Sequence, residues 1–259
     1  MRRISAACVA ACICASFSLA ILKSSSADAE VSSTWAELKP DVFGDRQIRP
    51  AGDVLTLKAP ERPDDQRAVP VKVQAQFRDG RTIKSVTFVV DENPSPVAAV
   101  FKMGAERTRT NLAVNLRFNV GTAVRAIVEA SDGELYMASR YVKFAGGQAA
   151  CSAPPTGSAE EIAANMGKMS VILQANNGAS TALRPKAELK ISHPNHTGMA
   201  LDQQTLLYIP LRIVSELEVR QGEERVFAMT GSITLSENPV INFDYRTNGE
   251  EKLQVVLKD

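Results

Sequence analysis

One side chain in this sequence stands out for the chemistry it could do alone. The stretch KFAGGQAACSAPP, Lys143 to Pro155, holds a single cysteine, Cys151, among Gly, Ala and Pro. The other three, Cys8, Cys12 and Cys14, fall in a segment with the marks of an export signal. Met1-Arg2-Arg3 is basic, Ile4 to Leu22 is uncharged and mostly apolar, and Ala27-Asp28-Ala29 offers the small residues a signal peptidase reads. Val9-Ala10-Ala11-Cys12 has the form of a lipoprotein processing box, but behind an unusually short apolar stretch, and the twin arginines lack the context of a folded-protein export signal. The apolar run is marginal for an anchor, which needs about 20 residues. The expectation is a soluble exported protein, cleaved near Ala29, with no membrane span in its mature form.

Removal of residues 1–29 leaves one thiol and no internal disulfide. In an oxidising compartment a lone thiol implies intermolecular pairing or deliberate reactivity. A free cysteine is ordinarily buried and inert. Here Gly146, Gly147, Gln148, Ala149 and Ala150 precede it, Ser152 and two prolines follow, and no hydrophobic periodicity surrounds it. The sequence therefore predicts an exposed, reactive Cys151 on a flexible arm. No Lys, Arg or His lies between Ala145 and Gly157, so any activation must come from the folded surroundings. An arm tied at both ends of that stretch extends only ~20 Å, at roughly 3.3 Å per residue.

Other candidates are weaker. His193 and His196 in SHPNHTG lack a cysteine or carboxylate at ligand spacing, which favours a loop role over a metal pair. Ser152 has no nearby histidine and no nucleophile elbow. Trp35 is expected to pack an N-terminal segment against the first folded block. With no second cysteine in the mature chain and no CxxC motif there, an enzyme is not supported. The mature chain has 27 basic and 28 acidic residues. That gives no electrostatic footprint for nucleic acid or an anionic membrane.

The elements that must position Cys151 read as β. Val69 to Phe77 alternates apolar and polar, as do Leu112 to Phe118 and Val124 to Ala130. Arg78-Asp79-Gly80-Arg81, Glu92-Asn93-Pro94-Ser95-Pro96 and Ser131-Asp132-Gly133-Glu134 supply turns, the Asp-Gly pairs being hairpin chemistry. A second block offers strands at Ala187–Ser192, Tyr208–Arg220, Arg225–Leu235, Val240–Tyr245 and Lys252–Leu257. The apolar run Leu206 to Val214 contains Pro210, which suits an edge strand, a bulge or a surface joining two sandwiches. Between the blocks, Ser158 and Glu161 form a capping box for the one helix expected, with Ile162 and Met166 on a shared face. The fold class is all-β: two immunoglobulin-like β-sandwich domains, residues 30–144 and 169–259, joined by a cysteine arm, linker and short helix over 145–168.

The stretches WAELKPDVFGDRQI, VVDENPSPVAAVF and VRAIVEASDGELYMASRYVKFAGG, with Cys151, resemble the SoxY half of the SoxYZ sulfur carrier. AELKISHPNHTG, IPLRIVSELEVRQGEERVF, LSENPVINFDY and LQVVLKD are similar to the SoxZ half. Order and fusion look most like the SoxYZ-like carriers associated with quinoprotein (PQQ-dependent) dehydrogenases. The resemblance implies a periplasmic protein without catalysis or cofactor of its own. Cys151 would be the covalent attachment point for a sulfur-containing group, and Gly146 and Gly147 part of the arm. A thiolate can hold a sulfane sulfur or sulfonate, and small neighbours let an arm enter a narrow active site. Partners implied are periplasmic sulfur-oxidation-type enzymes or a quinoprotein dehydrogenase system. A non-covalent adaptor of such a dehydrogenase is the alternative, and either could form a disulfide-linked homodimer through Cys151. The family's arm has glycines directly flanking its cysteine at the chain end, whereas Gln148, Ala149 and Ala150 intervene here and the chain continues.

Overall fold

The structure, a computed structural model, describes residues 33–144, 149–174 and 184–259. The expected signal peptide, its cleavage site, and the arm glycines Gly146 and Gly147 lie outside the described residues. The first half holds helix α1 (Ser33–Phe43) and strands β1 (Ile48–Pro50), β2 (Leu55–Lys58), β3 (Val69–Gln76), β4 (Ile83–Val90), β5 (Val97–Met103), β6 (Arg109–Leu116), β7 (Thr122–Ala130) and β8 (Leu135–Val142). The second half holds α2 (Ala159–Asn165), β9 (Met169–Gln174), β10 (Lys186–Ile191), β11 (Glu216–Gln221), β12 (Glu224–Gly231), β13 (Val240–Asp244) and β14 (Leu253–Lys258).

The immunoglobulin-like sandwich expected from the alternation is present, and its two halves are continuous. One sheet runs β1-β8-β7-β4-β5-β12-β11-β14, the other β2-β3-β6-β13-β10-β9, so each crosses from the first half into the second. The crossing points are antiparallel ladders. In β5–β12, Phe227 faces Met103 and Gly231 faces Ala99; in β6–β13, Ile241 faces Val114 and Phe243 faces Leu112. The two halves thus pair edge to edge, beyond the covalent connector the sequence suggested. This hides edges that would otherwise invite aggregation.

A file of aromatic rings seals the junction. Phe88 and Phe101 meet with centroids 5.8 Å apart, Phe101 and Phe227 at 5.4 Å, and Phe227 and Phe243 at 5.1 Å, all edge-to-face. Such pairs are worth about 0.5–1.5 kcal/mol each beyond their area. Buried residues from both halves form one hydrophobic cluster. Gly104, next to this ladder, is fixed by close approach: an added Cβ would sit 1.8 Å from the Arg225 carbonyl oxygen.

Trp35 packs as expected, against Val89, Ile127 and Leu135 of the first half. Its ring lies 4.6 Å from the Arg125 guanidinium, which forms a fully buried ion pair with Asp91 at 2.7 Å. The helix carrying Trp35 was not expected from the sequence, and it contains Pro40. Two further differences have simple causes. The strand expected over Tyr208–Arg220 shrinks to β11, and residues 206–212 form a loop with isolated bridges only. Pro210 removes a ladder donor there, and the neighbouring apolar side chains face solvent. Asp132-Gly133 joins β7 to β8 as a hairpin, but Asp79-Gly80 carries the chain from one sheet to the other. Both glycines take positive φ, which allows either geometry.

Candidate functional site

The connector between the halves leaves β8, forms a short 3-10 turn at Ala150–Ser152, and reaches α2. The Ser158/Glu161 capping box starts α2 as expected. Cys151 is not exposed: it is 1% accessible, and Ala150 beside it 3%. Periodicity fails here because it reports only the buried face of an element against its own sheet. This turn is instead buried by tertiary contacts from both sides.

From the first half, Asn119, just past β6, accepts a hydrogen bond from the Cys151 backbone N–H at 2.8 Å. From the second, the Thr197 hydroxyl donates to the Cys151 carbonyl at 2.5 Å. The ENPSP turn braces the first contact. Asn93 accepts from the Asn119 N–H at 3.0 Å and donates to the Arg117 carbonyl at 2.7 Å and to Thr234. SHPNHTG supplies the second as a structural loop. The Asn195 side chain donates to the Leu235 carbonyl and accepts from the Val214 N–H, while His193 Nδ1 accepts from the Asn195 N–H. Among the described residues no cluster of three or more candidate ligands surrounds a metal-sized site, and the two histidines serve this loop.

Arg117 is the charged member of the site. Its buried guanidinium donates to the carbonyls of Asn195 (2.7 Å), Leu235 (2.9 Å), Ile233 (3.2 Å) and Pro194 (3.3 Å). These are all second-half groups, so a cation from one half is caged by dipoles of the other. Burial pulls the guanidinium below its ordinary value, with Cys151 and Glu237 acting against that. The guanidinium stays protonated. Burial pushes the Cys151 thiol up, and the nearby Arg117 charge opposes the shift. In this position the thiol is protonated and weakly nucleophilic.

Two spaces flank the turn. A cavity of about 20 Å³ is bounded by Arg117, Ala150, Ala153, Pro194, His196 and Thr197, among others, and holds little more than one water. A groove of about 880 Å³ lies on the outer side, lined by residues 62–67, Lys143, Phe144, Ala153 and Pro154. The residues that sequence reasoning missed are Arg117, Asn119, Asn93 and Thr197. Arg117 sits at a polar position of the alternating run Leu112 to Phe118 and reads as outward, and Asn119 follows that run with no signal of its own. ENPSP and SHPNHTG were visible as motifs, but not as supports for the cysteine.

The architecture defines a two-layer β-sandwich whose one thiol among the described residues is clamped where its halves meet. Residues 39–150 match the family Sulfur oxidation protein SoxY, and residues 174–259 match Sulphur oxidation protein SoxZ. The chain belongs to both families, a SoxY-type half fused ahead of a SoxZ-type half. Cys151 stands one residue past the first match. Among solved structures, the chain is similar to the sulfur carrier protein SoxY from Chlorobium limicola f thiosulfatophilum. That likeness has 25% identity, 44% of this chain and 98% of that one covered, and a TM-score of 0.38. It is also similar to a superoxide reductase (neelaredoxin) from Ignicoccus hospitalis, with 18% identity, 35% and 80% coverage, and a TM-score of 0.26. No curated protein matched the chain. Among the described residues no helix is long and apolar enough to cross a membrane.

Proposed function

We propose that this protein is an exported carrier that holds a sulfur-containing group covalently on Cys151 and presents it to partner enzymes of sulfur oxidation. One observation supports the reading most: the thiol lies in the connector between a SoxY-type and a SoxZ-type half, held by one polar side chain from each. Two side-chain hydrogen bonds of about 1 kcal/mol each make a reversible hold.

The thiol then works from two positions. Docked, it is protonated, buried and protected from oxidation. Released, the turn projects towards the groove, and the thiol regains ordinary acidity. The docked Cys151 is 1% accessible, so a sulfonate on its sulfur requires the turn to leave its seat. One redox-neutral loading route is open to a single thiol. The Cys151 thiolate attacks the outer sulfur of a persulfide donor, and the donor's S–S bond breaks. The donor leaves as a thiolate that takes up the proton lost by Cys151, and Cys151 becomes a persulfide.

Burial also favours a second reading, an adaptor of a quinoprotein dehydrogenase in which Cys151 is incidental. A disulfide-linked homodimer requires the turn to leave its seat in either case. Intact mass of the protein purified from its own cells, before and after reductant, separates the two. The carrier reading expects a reductant-labile addition mapping to Cys151. A thiol unmodified on every candidate substrate favours the adaptor.

A further inference from the structure

His193 is a buried titratable group that the carrier chemistry leaves unused, and it sits in the loop that holds the cysteine turn. The residue is 1% accessible. Nδ1 accepts from the Asn195 N–H at 3.0 Å, so the neutral ring carries its proton on Nε2. Nε2 is buried and lies 3.5 Å from the Asp259 carboxylate, too long for a firm hydrogen bond. The same carboxylate oxygen already accepts from Arg212 Nε at 2.6 Å.

These surroundings suit the neutral ring. A second proton would put an N–H on Nδ1, head-on to the Asn195 N–H with no acceptor between them. The positive ring would also lose its hydration, beside a carboxylate it must share with Arg212. Burial is the largest cause that holds His193 below the ordinary histidine value; Arg212 and His196 act in the same direction and Asp259 against it. Glu161 and Glu237 line the cavity of about 310 Å³ that His193 also borders. From the ring the loop runs directly to the thiol seat. The buried Asn195 offers its carbonyl to Arg117 at 2.7 Å, and two residues on Thr197 donates to the Cys151 carbonyl and accepts from the Met199 N–H.

We propose that His193 is an acid-sensitive latch, which fixes the loop that seats Cys151 while the ring is neutral and frees loop and cysteine turn when the ring is protonated. The latch goes beyond the carrier reading and rests on it only for the use of a released thiol. A freed ring binds its proton at the ordinary histidine value and a seated ring below it. The seat therefore loses stability as pH falls below about 6.5. The thiol acts at the other end of the scale, because burial raises it and rising pH favours release. The turn is held best between the two, near neutral pH.

The test follows the reaction of Cys151 in the full chain with dithiodipyridine, from about pH 7.5 down to about pH 4.5. Each rate is divided by that of a peptide of residues 145–157 at the same pH, which cancels the thiol's own titration. Imidazole NMR of the chain's two histidines gives the His193 midpoint in the same samples. The ratio should rise at least about threefold between about pH 7 and pH 5, along the His193 titration and without loss of fold. His193→Asn keeps an acceptor where Nδ1 stood and cannot titrate, so it should abolish the rise. Asp259→Asn removes the carboxylate that favours the charged ring and should move the rise to lower pH. A flat ratio overturns the latch, as does a rise that survives His193→Asn, vanishes in His196→Asn or merely follows global unfolding. Should His193→Asn fail to fold, an unmoved midpoint in Asp259→Asn overturns it instead. The readout needs no cargo, so a Cys151 that carries nothing in cells would sink the carrier reading and leave the latch standing.

Discussion

Two of the contacts between the halves are built differently. At the sheet junction, continuous ladders β5–β12 and β6–β13 pair the halves, and a file of phenylalanines buries the inner face of the contact. At the cysteine seat, a three-residue turn is held by Asn119 and Thr197, with prolines leading back to the surface. The first is a permanent weld, since opening it would expose a core and unpair two strands. The second involves side-chain hydrogen bonds to one turn and no strand pairing. The carrier role proposed above would need both kinds of contact, one that holds the fold and one that lets the thiol go.

Breaking each contact separately should give opposite phenotypes. The largest effect is expected from Cys151→Ser, which abolishes carriage in a reconstituted sulfur-oxidation assay while the melting curve moves little. Phe227→Ala should act the other way. It removes the ring shared by Phe101 and Phe243 and costs about 3–5 kcal/mol, read by urea unfolding as one transition in which both halves melt together. Two separate transitions there would contradict the shared core.

Smaller effects sharpen the seat. Thr197→Val and Asn119→Ala each remove one side-chain hydrogen bond to the Cys151 backbone, worth about 1 kcal/mol. Each should raise the rate of Cys151 alkylation about fivefold with little change in global stability. Alkylation that tracks global stability would show that the seat and the weld are one unit. The pH dependence follows from the raised thiol value. The docked turn binds its thiol proton more tightly than the released turn, so rising pH favours release. The alkylation rate should keep climbing above about pH 8.5, where free cysteine levels off. A levelling at the ordinary value would mean that the docked thiol feels no burial.

Much of the fold was legible. The alternation in Val69–Gln76 marks a strand with one buried face, and the Ser158/Glu161 pair marks the start of α2. The run Val124–Ala130 is a strand as expected, but β7 is buried on both faces, and Arg125, a polar position of the alternation, lies in a buried ion pair with Asp91. The merging of the halves was not legible, because register between β5 and β12 depends on which edges meet and leaves no periodic trace. At the site, composition marked out Cys151 but misplaced it. Gly, Ala and Pro describe a chain without an apolar face, whereas small side chains are also what a narrow seam between two halves accepts. Arg117 was hidden for a related reason. A cation at a polar strand position reads as solvated until the second half brings four carbonyls around it.

The central claim is that Cys151 is buried but releasable, and one rate tests it. Native protein should be mixed with increasing concentrations of a small alkylating reagent, with the modification at Cys151 followed by intact mass and global unfolding measured in parallel. The account predicts modification far faster than global unfolding, reaching a plateau set by release of the turn. Modification no faster than global unfolding would contradict it and make Cys151 an inert core residue.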